Sequence, residues 1–417
     1  MSKRVVVTGM GAVTPIGNTV TDLWESILNG KNGIGEITCI DTSDFKVKIA
    51  AEVKNFDASL YMDKKEIRRS DKYTQFGMAA AVQAYEDSGL NENNINPEDL
   101  AVIVGSGIGG METFEKECFK LFEKGPGRVS PFLVPMIIAN ILSGNIAIKY
   151  NAKGLCHSLI TACATGTNCI GEAFKLIKEG EAKAVIAGSA EAPITKMSVA
   201  GFTNMTALST KNDINNSSTP FDKNRDGFVM GEGSGILILE EYEHAKARDA
   251  KIYAEVVGYA STCDAYHMTA PDPLGYGAKR AMEKAINSAG IKSSEISYIN
   301  AHGTGTPFND STETTAIKAV FGKDAYIIPV SSTKGNIGHM LGAAGSVESI
   351  ICIKALMDGY IPPTINYKTK DEQLDLDYVP NEGRKADLKY ALTNSLGFGG
   401  HNATLIFKKC EKMKGLL

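Results

Sequence analysis

Short apolar runs rich in β-branched residues recur along the chain at residues 4–8, 100–104, 159–162, 184–187, 236–239, 254–257, 296–301, 327–332 and 388–395. Between most of them lie stretches long enough for helices. Runs of this length and composition predict strands buried on both faces, and their alternation with helical stretches predicts an α/β fold built on largely buried sheets.

Two of the helical stretches share a design. The segment after Cys163 is rich in small residues and ends Ile177-Lys178-Glu179-Gly180; the segment after His339 is rich in Gly and Ala and ends Leu356-Met357-Asp358-Gly359. Each predicts a helix closed by a glycine C-cap. Gly166, Gly171, Gly342 and Gly345 lower helix propensity, so their use is to let neighbouring backbones approach, and both helices are expected to be buried on all sides. The likeness predicts two similar halves, residues 1–250 and 251–417, joined through the charged run 240–251.

Composition narrows the class. A chain of 417 residues exceeds what one core organises, so two domains or one duplicated architecture is expected. With 43% hydrophobic and 22% charged residues the chain is ordinarily globular rather than disordered. Lys+Arg 44 against Asp+Glu 48 gives a net charge of −4, which lacks the basic footprint of non-specific nucleic-acid binding. No apolar run approaches the roughly 20 residues of a membrane helix. Lys3 and Arg4 lead straight into Val5, leaving no room for a signal peptide. Eight cysteines without a Cys-x-x-Cys pair suggest neither a disulfide framework nor a zinc site, and the expected location is the reducing cytoplasm.

Two glycine motifs invite a nucleotide reading. Gly105-Ser106-Gly107-Ile108-Gly109-Gly110 follows an apolar run and satisfies G-x-G-x-x-G, yet no second strand ending in an acidic residue follows about 20 residues later. Gly9-Met10-Gly11 fails in the same way. Both are expected to be tight strand-to-helix turns, with a nucleotide-binding oxidoreductase as the competing reading.

Four segments carry chemistry. Residues 159–166, Leu-Ile-Thr-Ala-Cys-Ala-Thr-Gly, put Cys163 where a strand turns into a helix, whose free N–H groups and dipole are expected to lower the thiol pKa and favour a nucleophilic thiolate. His302 ends a strand before Gly303-Thr304-Gly305-Thr306, a loop of small hydroxyl residues suited to a polar ligand. His339 repeats the arrangement after Lys334-Gly335-Asn336-Ile337-Gly338, and no His or Cys spacing supports a metal instead. Gly397-Phe398-Gly399-Gly400 flanks an aromatic ring with glycines, which lets backbone N–H groups converge on an oxyanion; an ordinary hairpin explains it equally, since residues 403–407 return as a strand.

These residues resemble the β-ketoacyl-acyl carrier protein synthases of the thiolase superfamily, the type I/II condensing enzymes of fatty acid synthesis. The likeness spans nearly the whole chain. It includes Val5-Val6-Val7-Thr8-Gly9-Met10-Gly11, the Cys163 segment, Pro220-Phe221-Asp222-Lys223-Asn224-Arg225-Asp226-Gly227-Phe228 with Gly231-Glu232-Gly233, both histidine motifs and the 397–400 loop. The resemblance implies a duplicated thiolase-like fold in five layers, αβαβα, and decarboxylative condensation of malonyl-acyl carrier protein with an acyl chain on Cys163. It implies that His302 and His339 act on the malonyl group, that Lys334 orients the site, and that Glu313 pairs with Lys334 or holds a water. Backbone N–H groups of Cys163 and Phe398 would form the oxyanion hole, and Phe398 would gate the acyl pocket. Thr304 and Thr306 would contact the phosphopantetheine arm, with Thr269 and Gly399 also at the substrate, while Ile108 and Phe202 would line the acyl pocket. Two histidines fit the type I/II set, whereas type III synthases and most thiolases replace one of them. No cofactor is implied beyond the phosphopantetheine of the acyl carrier protein, and a homodimer is the usual state. Lys64, Lys65, Arg68, Arg69 and Lys72, at spacings that share one helix face, with Lys124 and Arg128, would dock the acidic carrier. A polyketide-type ketosynthase and a non-catalytic chain-length partner remain as alternatives.

Overall fold

The computed structural model describes residues 3–410. Its N-terminal part supplies β1 (Val5–Val13), α1 (Lys72–Ser88), β2 (Leu100–Gly105), β3 (Cys156–His157), α2 (Thr165–Glu179), β4 (Ala184–Glu191) and β5 (Gly233–Glu241). The C-terminal part supplies β6 (Ala254–Cys263), α3 (Tyr276–Ala289), β7 (Tyr298–Asn300), α4 (Pro307–Phe321), β8 (Val330–Ser331), α5 (Ala344–Asp358), β9 (Tyr390–Gly397) and β10 (His401–Lys409). The strands run β3-β2-β4-β5-β1 in one set and β8-β7-β9-β10-β6 in the other. In each set the three strands from the edge inward are parallel and the next two pairings are antiparallel, so order and sense repeat. β1 and β6 join the sets through Val5↔Val256, Val6↔Glu255 and Val7↔Ala254.

Two-residue alternation within the strands sets the number of layers. On β5, Leu237 and Leu239 enter a central core with Ile170 of α2 and Val347 and Ile351 of α5, while Ile236 and Ile238 enter an outer core with Phe76 and Ala80 of α1. On β10, Leu405 and Phe407 face the same centre and Ile406 faces Met282 of α3. Helices α2 and α5 touch both strand sets, α1 covers one outer face, and α3 with α4 covers the other. The result is the five-layered αβαβα arrangement. Among the described residues no helix is long and apolar enough to cross a membrane.

Three local expectations are corrected. Residues 159–162 form no strand; pairing stops at His157, and the chain runs into the 3-10 turn Ala162–Ala164, whose first residue holds a left-handed φ of 49°. Gly9 and Gly11 are not a turn but lie inside β1, where the α1 carbonyls of Ala84 and Ala80 would stand 2.1 and 2.0 Å from added Cβ atoms. Glu240, the first residue of the supposed charged connection, is fully buried and held by Arg248, Thr8 and His244.

The entries to α2 and α5 match in detail. Each is a short 3-10 turn, Ala162–Ala164 or Leu341–Ala343, that begins with a left-handed non-glycine residue, Ala162 at φ 49° and Leu341 at φ 45°. Glycines then let the helices meet. A Cβ on Gly345 would lie 2.1 Å from Thr167 Oγ1, and one on Gly166 would lie 2.7 Å from Ser346 N.

Substitution of Gly345 tests this contact. Ala improves helix propensity by about 1 kcal/mol, but overpacking here costs about 1–3 kcal/mol, so Gly345→Ala should destabilise. Gly201→Ala, in the helix Lys196–Asn204 with nothing within 4 Å of the new Cβ, should stabilise by about 0.5–1 kcal/mol. Chemical denaturation of both variants checks the opposite signs.

Candidate active site

Cys163, His302, His339 and Phe398 line one cavity of about 340 Å³, together with Thr269, Thr304, Thr306, Phe202, Phe228 and Leu341. Different elements deliver them. Cys163 sits in the turn before α2, His302 follows β7, and His339 follows the short helix Lys334–Ile337. Phe398 begins the three-residue loop of the β9–β10 hairpin, closed by the Gly397↔His401 pair, with Gly399 and Gly400 at φ 83° and 75°. The hairpin and the site are therefore the same structure.

The imidazoles stand 5.2 Å apart, centroid to centroid, and nearly perpendicular. Burial, reinforced by the Lys334 charge, pushes both well below the ordinary histidine range, so at neutral pH each is an uncharged ring with one N–H to donate. Their Nδ1 atoms are buried without a hydrogen-bond partner. Phe228, from the 220–228 motif, meets the His339 ring edge to face at 5.0 Å.

Cys163 departs from the expected thiolate. Burial pushes its thiol up to about 12, while Lys334 and the backbone N–H groups of Phe398 and Cys163 act in the opposite direction. At rest the sulfur therefore carries its proton, and the helix end and its neighbours serve charge that develops during reaction. Gly397 makes the convergence of the two N–H groups possible, since a Cβ there would lie 3.2 Å from Cys163 N and 2.7 Å from Thr161 O.

Glu313 does not pair with Lys334. Its carboxylate accepts the backbone N–H groups of His302 and Gly303, each at 2.8 Å, and the Asn394 amide at 3.2 Å, which fixes the histidine loop from behind; burial pushes it up to about 7. The fully buried Lys334 instead pairs with Glu348 of α5, a residue the sequence reading missed. A lone acidic residue within the otherwise small and apolar run 341–353 was the available signal.

Glu191 was missed as well. At the end of β4, buried, it accepts Ser106 Oγ, Gly107 N, Ile108 N and Gly342 N at 2.8–3.1 Å. A protein carboxylate thus fills the anion position of the G-x-G-x-x-G loop, which explains why the loop is no phosphate cradle. Asp310 of α4 likewise ties Phe221 N and Gly305 N together at 2.8 and 3.2 Å.

Two expected substrate contacts lie off the cavity wall. Ile108 packs in the apolar cluster that contains Cys163 and Phe228. Gly399 turns away and its N–H bonds Met268 O at 2.7 Å; Gly397, Phe398 and Gly400 line the cavity instead. The basic residues do not form one helix face. The helix covers only Lys64–Arg68, and Lys72 starts α1 with its ammonium 2.8 Å from buried Glu232. Lys64, Lys65, Arg68, Arg69, Lys124 and Arg128 are exposed, with Arg69 stacked over Phe132 at 4.4 Å. Among the described residues no cluster of three His, Cys, Asp or Glu is placed to hold a metal.

The family model for the beta-ketoacyl synthase N-terminal domain matches residues 2–245, and that for the C-terminal domain matches residues 253–368. The chain is 53% identical over 410 residues to the 3-oxoacyl-[acyl-carrier-protein] synthase 2 of Synechocystis sp., covering 98% of this chain and 99% of the relative. The protein of the same name from Staphylococcus aureus is similar to the same extent, 53% with equal coverage. Among solved structures, a type II polyketide ketosynthase in complex with its acyl carrier protein superposes with a TM-score of 0.92 at 35% identity, covering 98% of this chain and 100% of that one.

Removing Glu348 tests the buried pair. Glu348→Ala strands the Lys334 ammonium in the interior and should cost about 3–5 kcal/mol of folding stability by chemical denaturation.

Proposed function

The chain belongs to the beta-ketoacyl synthase family, and from that footing we propose that it condenses malonyl-acyl carrier protein with a Cys163-bound acyl chain in type II fatty acid elongation, giving 3-oxoacyl-acyl carrier protein. The observation that carries the reading is the meeting of one thiol and two neutral imidazoles in a single cavity.

In the first half-reaction the Cys163 sulfur attacks the thioester carbonyl of the acylated carrier. The N–H groups of Cys163 and Phe398 receive the oxyanion, and the carrier leaves as a thiol bearing the proton that Cys163 gives up. In the second, malonyl-carrier protein loses carbon dioxide, and the electron pair of the broken C–C bond becomes the enolate of the thioester. Neutral His302 and His339 donate hydrogen bonds to its oxygen. Carbon then attacks the acyl-cysteine and expels the thiolate, which takes a proton from solvent; its high thiol pKa favours that return. Lys334 adds positive potential, and Glu313 positions the His302 loop. Loss of carbon dioxide drives the reaction, so the scheme calls on no resident cofactor.

Thr304, Thr306 and Thr269 receive the phosphopantetheine arm, Phe398 gates the cavity, and Phe202 bounds the acyl pocket, with Ile108 packed behind the wall in the cluster that contains Cys163. Residues 1–250 and 251–417 act as the two halves of a duplication, one bringing the sulfur and the other the histidines. The polyketide alternative has less support, because the relatives named 3-oxoacyl-[acyl-carrier-protein] synthase 2 are far nearer in sequence than the polyketide ketosynthase. A homodimer fits the bare edge of β3, whose two residues are exposed, as are Leu155 just before it and Ile160 just after it. Eight unpaired cysteines fit a reducing cytoplasm.

Single-turnover assays test the roles. Cys163→Ala should abolish acylation by acyl-carrier protein and with it condensation. His302→Ala and His339→Ala should still acylate Cys163 yet slow malonyl decarboxylation about 100- to 1,000-fold each; acylation lost in the histidine variants, or condensation kept in Cys163→Ala, would refute the assignment.

Docking is tested separately. Lys65→Glu with Arg68→Glu should raise KM for carrier-bound acyl groups and spare small acyl thioesters, whereas equal losses with both would count against these residues as the carrier surface.

A further inference from the structure

The backbone that presents the sulfur is strained, and a hydrogen-bond chain braces it from the other strand set. Ala162, immediately before Cys163, holds the left-handed φ of 49°, which a residue bearing a Cβ keeps only when its surroundings enforce it. Thr161 is fixed on each of its polar atoms. Its N–H bonds Thr165 Oγ1 at 2.9 Å, its carbonyl accepts Ala164 N at 3.0 Å, and its hydroxyl accepts Asn168 Nδ2 at 2.8 Å. The first two bonds stay within the turn. The third leads away from it, because Asn168 Oδ1 accepts the Tyr259 hydroxyl at 2.8 Å. Tyr259 belongs to β6, Asn168 to α2, and both side chains are buried.

The slot for Tyr259 is built into α2. A Cβ on Gly171 would lie 2.1 Å from the phenol ring, so a glycine in mid-helix admits it. Glu172 at 3.1 Å and the Lys175 ammonium 4.9 Å from the ring centre close the outer side.

We propose that Tyr259 and Asn168 are positioning residues for acyl transfer: through Thr161 they hold the Ala162 turn, and so the Cys163 sulfur and N–H, in register with the Phe398 N–H. The inference rests on the reading of Cys163 as acyl acceptor. It concerns the steps at Cys163 and not decarboxylation, since the histidines that serve decarboxylation hang from other elements.

The test compares Tyr259→Phe, Thr161→Val and Thr161→Ser with the wild type, using acyl-carrier protein for single-turnover acylation of Cys163 followed by mass spectrometry, and malonyl-carrier protein alone for decarboxylation. Tyr259→Phe and Thr161→Val should acylate about 10- to 100-fold more slowly at saturating carrier, with KM and decarboxylation unchanged, and Thr161→Ser, which keeps the hydroxyl, should restore the rate. Acylation at the wild-type rate in both damaged variants overturns the proposal, as does a parallel loss of decarboxylation, which marks a general structural role. Should Tyr259→Phe fail to fold, the Val and Ser pair at Thr161 decides alone. An unacylated wild type would instead remove the acyl-transfer reading on which the proposal stands.

Discussion

The contact between α2 and α5 sets the position of everything at the cavity. The two helices fill the middle layer with faces of Gly, Ala, Ser and Thr, and at Gly166 and Gly345 nothing larger than hydrogen fits between them. Hydroxyl pairs tie each helix to a strand beside this contact: Thr167 of α2 with Ser395 of β9 and Ser346 of α5 with Ser189 of β4, each at 2.7 Å. Cys163 sits in the turn that leads into α2, and Glu348, the partner of Lys334, lies on α5. A shift of either helix would therefore move the thiol relative to the charge that acts on it.

A second constraint is the use of buried carboxylates as internal anchors for loops. Glu191 gathers the glycine loop after β2 and the turn before α5; Glu313 gathers the loop after β7; Asp310 gathers residues 221 and 305. Each accepts backbone N–H groups that would otherwise be orphaned in the interior, where an unmade hydrogen bond is costly. Burial raises all three pKa values and the N–H bonds oppose it. The loops that face the cavity can then be rich in glycine and still rigid.

Much of this was legible in the sequence for a physical reason: strands buried on both faces read as continuous apolar runs, and helices squeezed between sheets read as small-residue runs. His302 was legible because it follows such a run, and Cys163 because it precedes a small-residue helix run. Less was legible where chain path rather than composition decides. Gly9 and Gly11 resemble a turn until α1 is seen to cross them. Lys334 has Glu313 in α4 before it and Glu348 in α5 after it, and spacing alone does not choose. The thiol pKa was misjudged because a helix N-terminus and burial push in opposite directions, and only the structure shows how deep the sulfur lies. The basic segment misled because periodicity passes over the break at residues 69–71, where Arg69 ends one helix and Asp71 caps the next.

The matched left-handed residues, Ala162 and Leu341, mean that the molecule owns two copies of the corner on which a nucleophile can be mounted. Only one bears sulfur. At the other, Leu341 itself forms part of the wall beside Cys163. The second corner thus serves as wall rather than as nucleophile, so near-symmetric scaffolding holds chemistry that has no symmetry.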